Sequence, residues 1–363
     1  MKVLIVFNHP APYKVRLFNE LAKDIELDVI FERQSASDRP KQFYNCNGYA
    51  FNAKFLTKGA FGNENSNTPE LKKYIAENYK NYDYIIMNGY STITEIRAIR
   101  YMKKKHIPFI LYINGGVIRK ENWFKHRFKK SLIKSAFHYF SPCDEASEFL
   151  KDYGVVNSQI STYIYSTFYD RDVLNEPLSS QDKSILRAKF GLPKEGKIFV
   201  SAGQFIDRKN NEQLITQFIG RKDTLLLVGA GPNRSSYERL IKQANMNNVI
   251  IRDFLERDEL FKIMRACDCF VTLSKEDIFG HTTNEAMCCG LPVISSDKVI
   301  SSLHLIKNDY NGYLVDLKDN QQIQTALNKV NDEMSINSLE TARENTIEKS
   351  AKIHLELLKG LNK

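Results

Sequence analysis

The feature that most constrains this 363-residue chain is the stretch from Cys269 to Ile294. It begins with a short apolar run, Cys269-Phe270-Val271-Thr272-Leu273, too short for a helix and bounded by polar residues. Such a run reads as a strand buried on both faces, as in a parallel sheet. A loop follows, Ser274-Lys275-Glu276-Asp277-Ile278-Phe279-Gly280, and then a helix predicted over residues 282–289. Gly290 stops that helix and Pro292 opens the next strand. A strand, a helix and a second strand in so few residues require a parallel crossover, and parallel crossovers build α/β sheets.

The same alternation runs through the whole chain. In the first half, strands are predicted at 3–8, 27–32, 84–87, 108–113, 137–141 and 162–165. Helices are predicted at 14–23, 69–79, 94–104 and 144–153, and residues 43–67, rich in Asn and Gly, read as a long loop with some edge strand. A polar connector, 168–196, carries one helix at 180–190. Alternation then restarts with strands at 198–201, 224–228, 249–251, 269–273, 292–295 and 312–315, and a long helical stretch, 339–361, closes the chain. The expected fold is therefore α/β with two Rossmann-like domains, residues 1–170 and 171–345, and a C-terminal helix over 346–363. In such sheets ligands bind at the carboxyl ends of the strands.

Asp277 falls on a strand-end loop, and Glu285 falls on the following helix with seven residues between them. A helix start behind a Gly turn presents unpaired N–H groups and a positive dipole, which suits phosphate. Ionised carboxylates only accept hydrogen bonds, so two beside that site suit hydroxyls. A nucleotide sugar carries both groups. The loop after the strand at 198–201 adds cations, in Gly203-Gln204-Phe205-Ile206-Asp207-Arg208-Lys209-Asn210. A guanidinium fork and an ammonium at a strand-to-helix turn suit a diphosphate, although a solvated charged turn reads the same way.

The pattern Asp277 … Phe279-Gly280 … Glu285-Ala286-Met287 … Gly290-Leu291-Pro292-Val293-Ile294 resembles the donor-site motif of family 4 glycosyltransferases, which are retaining enzymes of the GT-B fold. The resemblance is strong over residues 202–316 and weak over the first half, where Ala11-Pro12-Tyr13-Lys14 is similar to the family's opening segment. It implies two Rossmann-like domains facing a central cleft, with the last helix crossing back onto the first domain. It implies that Glu285 holds the ribose and Asp277 the donor sugar, with Gly203, Gly280, His281 and Thr282 lining the donor. It implies that Lys209 holds the leaving diphosphate. Two positions depart from the pattern: Asp277 replaces the usual first Glu, and Gln204 stands where an Arg is usual, so Arg208 is the candidate for the missing charge. Phe254 and Leu255 border the base by the same resemblance, a plain strand end being the alternative. No metal and no cofactor beyond a nucleotide sugar, expected to be UDP-linked, are called for, since side-chain cations supply the charge.

The first half is less explicit. His9 lies on the first strand-end turn and is a candidate catalytic group or a structural histidine. The interval 97–134 holds twelve cations and one acidic residue, Glu121, with Trp123, Phe124 and Phe128 interleaved at helical spacing. With a net charge of +9, this implies a polyanionic partner. Trp123, Lys125, Arg127, Lys129 and Lys130 form a candidate surface for an anionic membrane or a lipid-linked glycan acceptor. A helix packed on its own sheet is the alternative, and no nucleic-acid module accompanies the charge. No apolar run reaches the length of a membrane span, and the strand-like N-terminus does not read as a signal peptide. Six scattered cysteines without metal-type spacing read as reduced thiols. The expected protein is cytoplasmic and peripheral at the membrane, a transferase of surface-polysaccharide synthesis. A non-catalytic GT-B binding subunit and a sugar-nucleotide epimerase are the alternatives.

Overall fold

The computed structural model describes residues 1–36, 41–44, 48–57, 60–61 and 66–361. They divide into two units, one of residues 1–167 with 347–363 and one of residues 168–346.

The first unit contains β1 (Lys2–Phe7), α1 (Pro12–Leu21), β2 (Glu26–Phe31), β3 (Ser35–Ala36), β4 (Asn52–Phe55), β5 (Ala60–Phe61), α2 (Glu70–Asn78) and β6 (Tyr84–Met87). It continues with α3 (Ile93–Lys105), β7 (Ile110–Tyr112), α4 (Trp123–Ile133), β8 (His138–Ser141), α5 (Asp144–Asp152) and β9 (Ile160–Thr162). Seven strands form a parallel sheet in the order β4-β2-β1-β6-β7-β8-β9, and β3 pairs with β5. Strands such as Val3-Leu4-Ile5-Val6 are buried on both faces, which is why their sequences are continuous apolar runs rather than alternating ones. Edge strand β4 lies in the loop-like stretch 43–67, of which residues 45–47, 58–59 and 62–65 lie outside the described residues.

The chain leaves β1 in one direction along the sheet through β2 to β4. It then returns and leaves in the other direction from β6. The order therefore reverses between β1 and β6, where diverging loops open a crevice. The C-terminal helix, Ile347–Gly360, packs on α1 in this unit. Its His354 meets the Tyr112 hydroxyl at 3.2 Å, and Tyr112 accepts from the buried Lys14 Nζ at 2.9 Å. Rings of Tyr112 and Tyr165 flank that ammonium at 4.2 and 4.1 Å, which offsets part of the cost of burying it.

The second unit contains α6 (Ser180–Phe190), β10 (Ile198–Ala202), α7 (Asn211–Thr216), β11 (Thr224–Val228), α8 (Arg234–Gln243), β12 (Val249–Arg252), α9 (Arg257–Arg265) and β13 (Cys269–Thr272). Then follow α10 (His281–Cys288), β14 (Val293–Ser296), α11 (Ile300–Leu305), β15 (Gly312–Val315), α12 (Asn320–Lys329) and α13 (Asp332–Arg343). Its six parallel strands run β12-β11-β10-β13-β14-β15, so the order reverses between β10 and β13. Phe199 and Val200 of β10 lie beside Cys269 and Phe270 of β13. The loops after these two strands are the ones the sequence singles out.

The stretch 339–361, read from sequence as one helical run, is two helices in different units. The break falls at Glu344-Asn345-Thr346, where Asn345 and Thr346 are poor helix formers next to one another. The Asn345 side chain donates to the Thr341 carbonyl at 2.8 Å, competing with the backbone ladder, and its own carbonyl accepts from Asn284.

Candidate functional site

In the second unit the switch point between β10 and β13 gathers charge. The β10 loop turns through a short helical turn, Asp207–Lys209, closed by Asn210 in the left-handed region at φ +56°. This sends Lys209 back across the sheet end. Its ammonium meets Asp277 Oδ2 at 2.5 Å, and Arg208 Nη1 lies 3.5 Å from Asp277 Oδ1. Arg208 also donates to the Glu276 carbonyl at 3.3 Å. Lys209 and Asp277, 68 positions apart in sequence, thus form one cluster with Arg208. Burial alone would raise the Asp277 carboxyl. The Lys209 ammonium, with Arg208 and His281, more than offsets this and holds it below the usual carboxylate range.

The loop carrying Asp277 is braced from the β14–α11 connection, which the sequence reading passed over. Asp277 N–H donates to the Lys298 carbonyl at 3.1 Å, and Ser301 N–H donates to the Phe279 carbonyl at 2.7 Å. Ser301 Oγ donates to the Gly280 carbonyl at 2.7 Å. The signal for it was the Ser301-Ser302 pair at the start of an apolar helix. Gly280 has φ +90°, and a Cβ there would come within 2.5 Å of Val299. It therefore permits the turn that starts α10 one residue earlier than predicted, at His281. His281 packs on Phe279 with ring centres 5.1 Å apart. Thr282 is half-buried in the first turn, and Glu285 is half-buried one turn beyond His281, on the same helix face.

The glycine turns after β10 and β11 lock together. Gly203 N–H donates to Val228 O at 3.0 Å and Phe205 N–H to Ala230 O at 2.8 Å. A Cβ on Gly229 would stand 1.9 Å from the Gly203 carbonyl, so only glycine lets the two loops meet. Gln204 lies half-buried on this turn. Beyond β12, Phe254 is exposed while Leu255 packs on the core, so the two point to different surroundings.

In the first unit, the switch point between β1 and β6 is a cavity of about 610 Å³. The ends of β1, β6 and β7 contribute Asn8, Asn88 and Asn114 to it. Asn114 Nδ2 donates to Asn88 Oδ1 at 2.9 Å, leaving Asn114 Oδ1 buried without a partner. Glu95 comes from α3, where it forms a capping box with Thr92. Its Oε2 accepts from Ser91 N–H at 2.6 Å and Thr92 N–H at 3.0 Å. Glu32 lies beside it and accepts from Thr92 Oγ1 at 2.9 Å.

Burial pushes Glu95 up to about 8, and the neighbouring Glu32 carboxyl adds to the rise. Burial raises Glu32 as well. Because the folded protein holds the Glu95 proton more tightly than the unfolded chain, the resulting stability is complete below the ordinary carboxylate range. It is lost as pH rises through about 8. Thermal unfolding of Glu95→Gln should therefore show a shallower loss of Tm than the parent from about pH 5 to 8. Equal slopes would remove this account of the pair.

His9 lies on the β1 loop. Its Nδ1 is 3.4 Å from the Tyr44 hydroxyl, and its ring packs edge-on against Phe7 and Tyr44. The candidate surface helix α4 starts at Trp123 because Asn122 caps it by accepting from Phe124 N–H at 2.9 Å. Its cations divide by helical phase. Lys125 and Lys129, with Phe128 and Leu132, line the cavity. Lys129 is bonded to Glu121. Trp123 and Phe124 are 62% and 74% exposed, and Arg127 lies over the Trp123 ring at 5.5 Å. The Lys130 side chain runs past Gly154, 3.3 Å from where a Cβ on that residue would lie.

Residues 182–351, a little under half the chain, match the family model described as glycosyl transferases group 1. The chain is 27% identical over 175 residues to N-acetyl-alpha-D-glucosaminyl L-malate synthase of Bacillus anthracis, covering 46% of this chain and 45% of that protein. The chain thus spans about half the length of that relative. It is 22% identical to the O-antigen biosynthesis glycosyltransferase WclY of Escherichia coli, over 78% of this chain and 75% of that one. Among solved structures it is similar to Anabaena Alr3699/HepE in complex with UDP, with a TM-score of 0.78 and 17% identity, covering 99% of this chain and 100% of that chain. The fold is that of GT-B glycosyltransferases, two Rossmann-like units with parallel sheets.

Proposed function

We propose that the chain is a retaining glycosyltransferase that moves a sugar from a nucleotide sugar, UDP-linked, to a glycan or lipid-linked glycan. The observation that carries this reading is the Lys209–Asp277–Arg208 cluster at the switch point of the second sheet, beside the start of α10. A diphosphate entering there meets an ammonium, a guanidinium and the helix N-terminus together. It competes with Asp277 for Lys209 and frees that carboxylate to accept from hydroxyls of the donor sugar. Glu285, one turn further along α10, takes the ribose hydroxyls. Gly203, Gln204 and Thr282 border the diphosphate, and exposed Phe254 borders the base. As the glycosidic bond breaks, charge grows on the diphosphate oxygens, where fixed cations stabilise it without reorganising. UDP in the similar Anabaena structure and O-antigen synthesis in the name of the Escherichia coli relative support the donor and the acceptor class.

The test is titration of UDP into the full-length protein, with mass spectrometry of any nucleotide sugar that co-purifies. Binding of UDP with a bound nucleotide sugar supports the reading, and failure to bind any nucleoside diphosphate ends it. A non-catalytic GT-B subunit would bind UDP as well, and Gln204 and Asp277, the two departures from the family pattern, favour that second reading; turnover separates the two. Because Lys209 and Arg208 supply the charge, transfer should persist in excess EDTA. Loss in EDTA, restored by Mg²⁺ or Mn²⁺, would mean that a metal holds the diphosphate instead.

Among the described residues no helix is long and apolar enough to cross a membrane. The proposed site of action is the cytoplasmic face, with α4 resting on the bilayer through Trp123, Phe124 and Arg127. Each cation near an anionic surface contributes about 1 kcal/mol, and the rings add burial. The protein should float with anionic vesicles, less in high salt, and the triple change Trp123→Ser, Phe124→Ser, Arg127→Ser should abolish flotation. Equal recovery on neutral vesicles would reject the electrostatic part.

A further inference from the structure

The cavity in the first unit is unaccounted for by the donor. It stands at that sheet's own switch point and falls within the range of small-molecule sites, ~300–1,000 Å³. Its floor is polar and short of partners. The buried Asn114 Oδ1 accepts nothing from the protein, and an unsatisfied buried acceptor costs about 1–3 kcal/mol unless a ligand or water donates to it. Asn88 is fixed next to it by the Asn114 amide and by its own donation to the Tyr112 carbonyl at 3.3 Å. Glu95 Oε1 lies on the Gly89 side, where a Cβ would stand only 2.7 Å away, so glycine keeps the carboxyl open to the cavity. Burial keeps this carboxyl largely protonated at neutral pH, able both to donate and to accept. Such a floor matches the vicinal hydroxyls of a sugar.

The wall is different. α4 turns Lys125, Phe128 and Lys129 to the cavity at helical spacing. Lys129 is committed to Glu121, whose other oxygen accepts from the Tyr153 hydroxyl at 3.1 Å. Among the described residues no carboxylate pairs with Lys125 within 4 Å, although its charge reaches Glu121, and Phe128 beside it is 44% exposed, with Arg100 over its ring at 6.0 Å. A hydroxyl-binding floor thus faces Lys125, which is held in no close ion pair, and one apolar ring.

We propose that this cavity receives an acceptor sugar bearing a negative charge, a carboxylate or a phosphate, with its hydroxyls on Asn88, Asn114 and Glu95 and its charge on Lys125. The word acceptor rests on the transfer reading above; the charged-sugar site itself does not. Hydroxyls satisfy the orphaned acceptor on the floor, the ring face of Phe128 covers the sugar's C–H face, and the ammonium selects the charged member of otherwise equal sugars.

Binding rather than turnover tests this. The full-length protein is titrated, with and without UDP, with glucose, glucuronate and a glucose phosphate, followed by saturation-transfer NMR. A charged sugar should bind about tenfold or more tightly than glucose, a difference of about 1.4 kcal/mol. Preference for glucuronate assigns the charge to a sugar acid, and preference for the phosphate assigns it to a phosphoryl substituent. Lys125→Glu should erase the preference while UDP binds as in the parent, and Asn114→Ala should weaken all three sugars alike. Equal binding of glucose, a preference that survives Lys125→Glu, or no binding of either charged sugar overturns the proposal. Loss of UDP binding in the parent with the sugar preference intact would instead strike the donor reading alone.

Discussion

Lys209→Ala should lower kcat by about a hundredfold or more, which is about 2.7 kcal/mol of transition-state stabilisation. The ammonium is mostly enclosed and held against Asp277; under the proposed reading it would already be in place as charge develops on a departing diphosphate. Among the described residues, Arg208 and His281 are the other positive groups that act on Asp277. Arg208 is more exposed and spends part of its fork on the Glu276 carbonyl. Loss of Lys209 also leaves Asp277 facing the diphosphate with less opposing charge, which adds repulsion to the missing attraction. The double variant Lys209→Ala, Asp277→Asn should therefore regain part of the loss. Arg208→Ala should cost less than Lys209→Ala but remain measurable, since Gln204 brings no charge of its own. An unchanged kcat in a folded Lys209→Ala protein, verified by its Tm, would remove Lys209 from the chemistry.

Glu285→Ala should lower kcat/KM by roughly three orders of magnitude with little change in stability. A carboxylate accepting from two ribose hydroxyls makes two charge-assisted bonds, each about 1.5–3 kcal/mol. Their loss removes binding of a part of the donor remote from the reacting bond, and such binding helps to position the sugar. The side chain is half-buried, whereas the packing of α10 rests on its neighbours Ala286, Met287 and Cys288, all fully buried. The helix should survive the change. Steady-state kinetics across donor concentrations, beside thermal unfolding, measures both. Near-parent kcat/KM in a stable variant would displace the ribose from Glu285.

The sheets were legible because their strands are buried on both faces and so appear as short apolar runs, Thr224–Val228 and Gly312–Val315 among them. The helix Ser180–Phe190 was legible to its ends, since Ser179 caps it and Gly191 takes the left-handed turn that closes it. The break at Asn345 was not, because the run around it keeps helical periodicity and two poor helix formers are tolerated inside many helices; here a side-chain bond from Asn345 to the Thr341 carbonyl completes the stop. At the candidate donor site the two strand-end loops were legible and the pairing of Lys209 with Asp277 was not. Lys209 and Asp277 meet because β10 and β13 are neighbours, a fact of strand order that local sequence does not carry. The first-unit cavity was harder still. Its floor comes from the ends of separate strands and its wall from α4. A basic stretch with aromatic residues looks alike in sequence whether its cations face a bilayer or a pocket, and only the helical phase of Lys125 against Arg127 divides them.

The most direct measurement of the central claim is nucleoside diphosphate release by the full-length protein from a panel of nucleotide sugars, with and without glycan acceptors, compared with Lys209→Ala. The account predicts slow release from at least one UDP-sugar alone and faster release with a suitable acceptor. It also predicts a loss of about a hundredfold in the variant. UDP binding without release from any nucleotide sugar, under any acceptor, would contradict it and leave a binding module in place of a transferase.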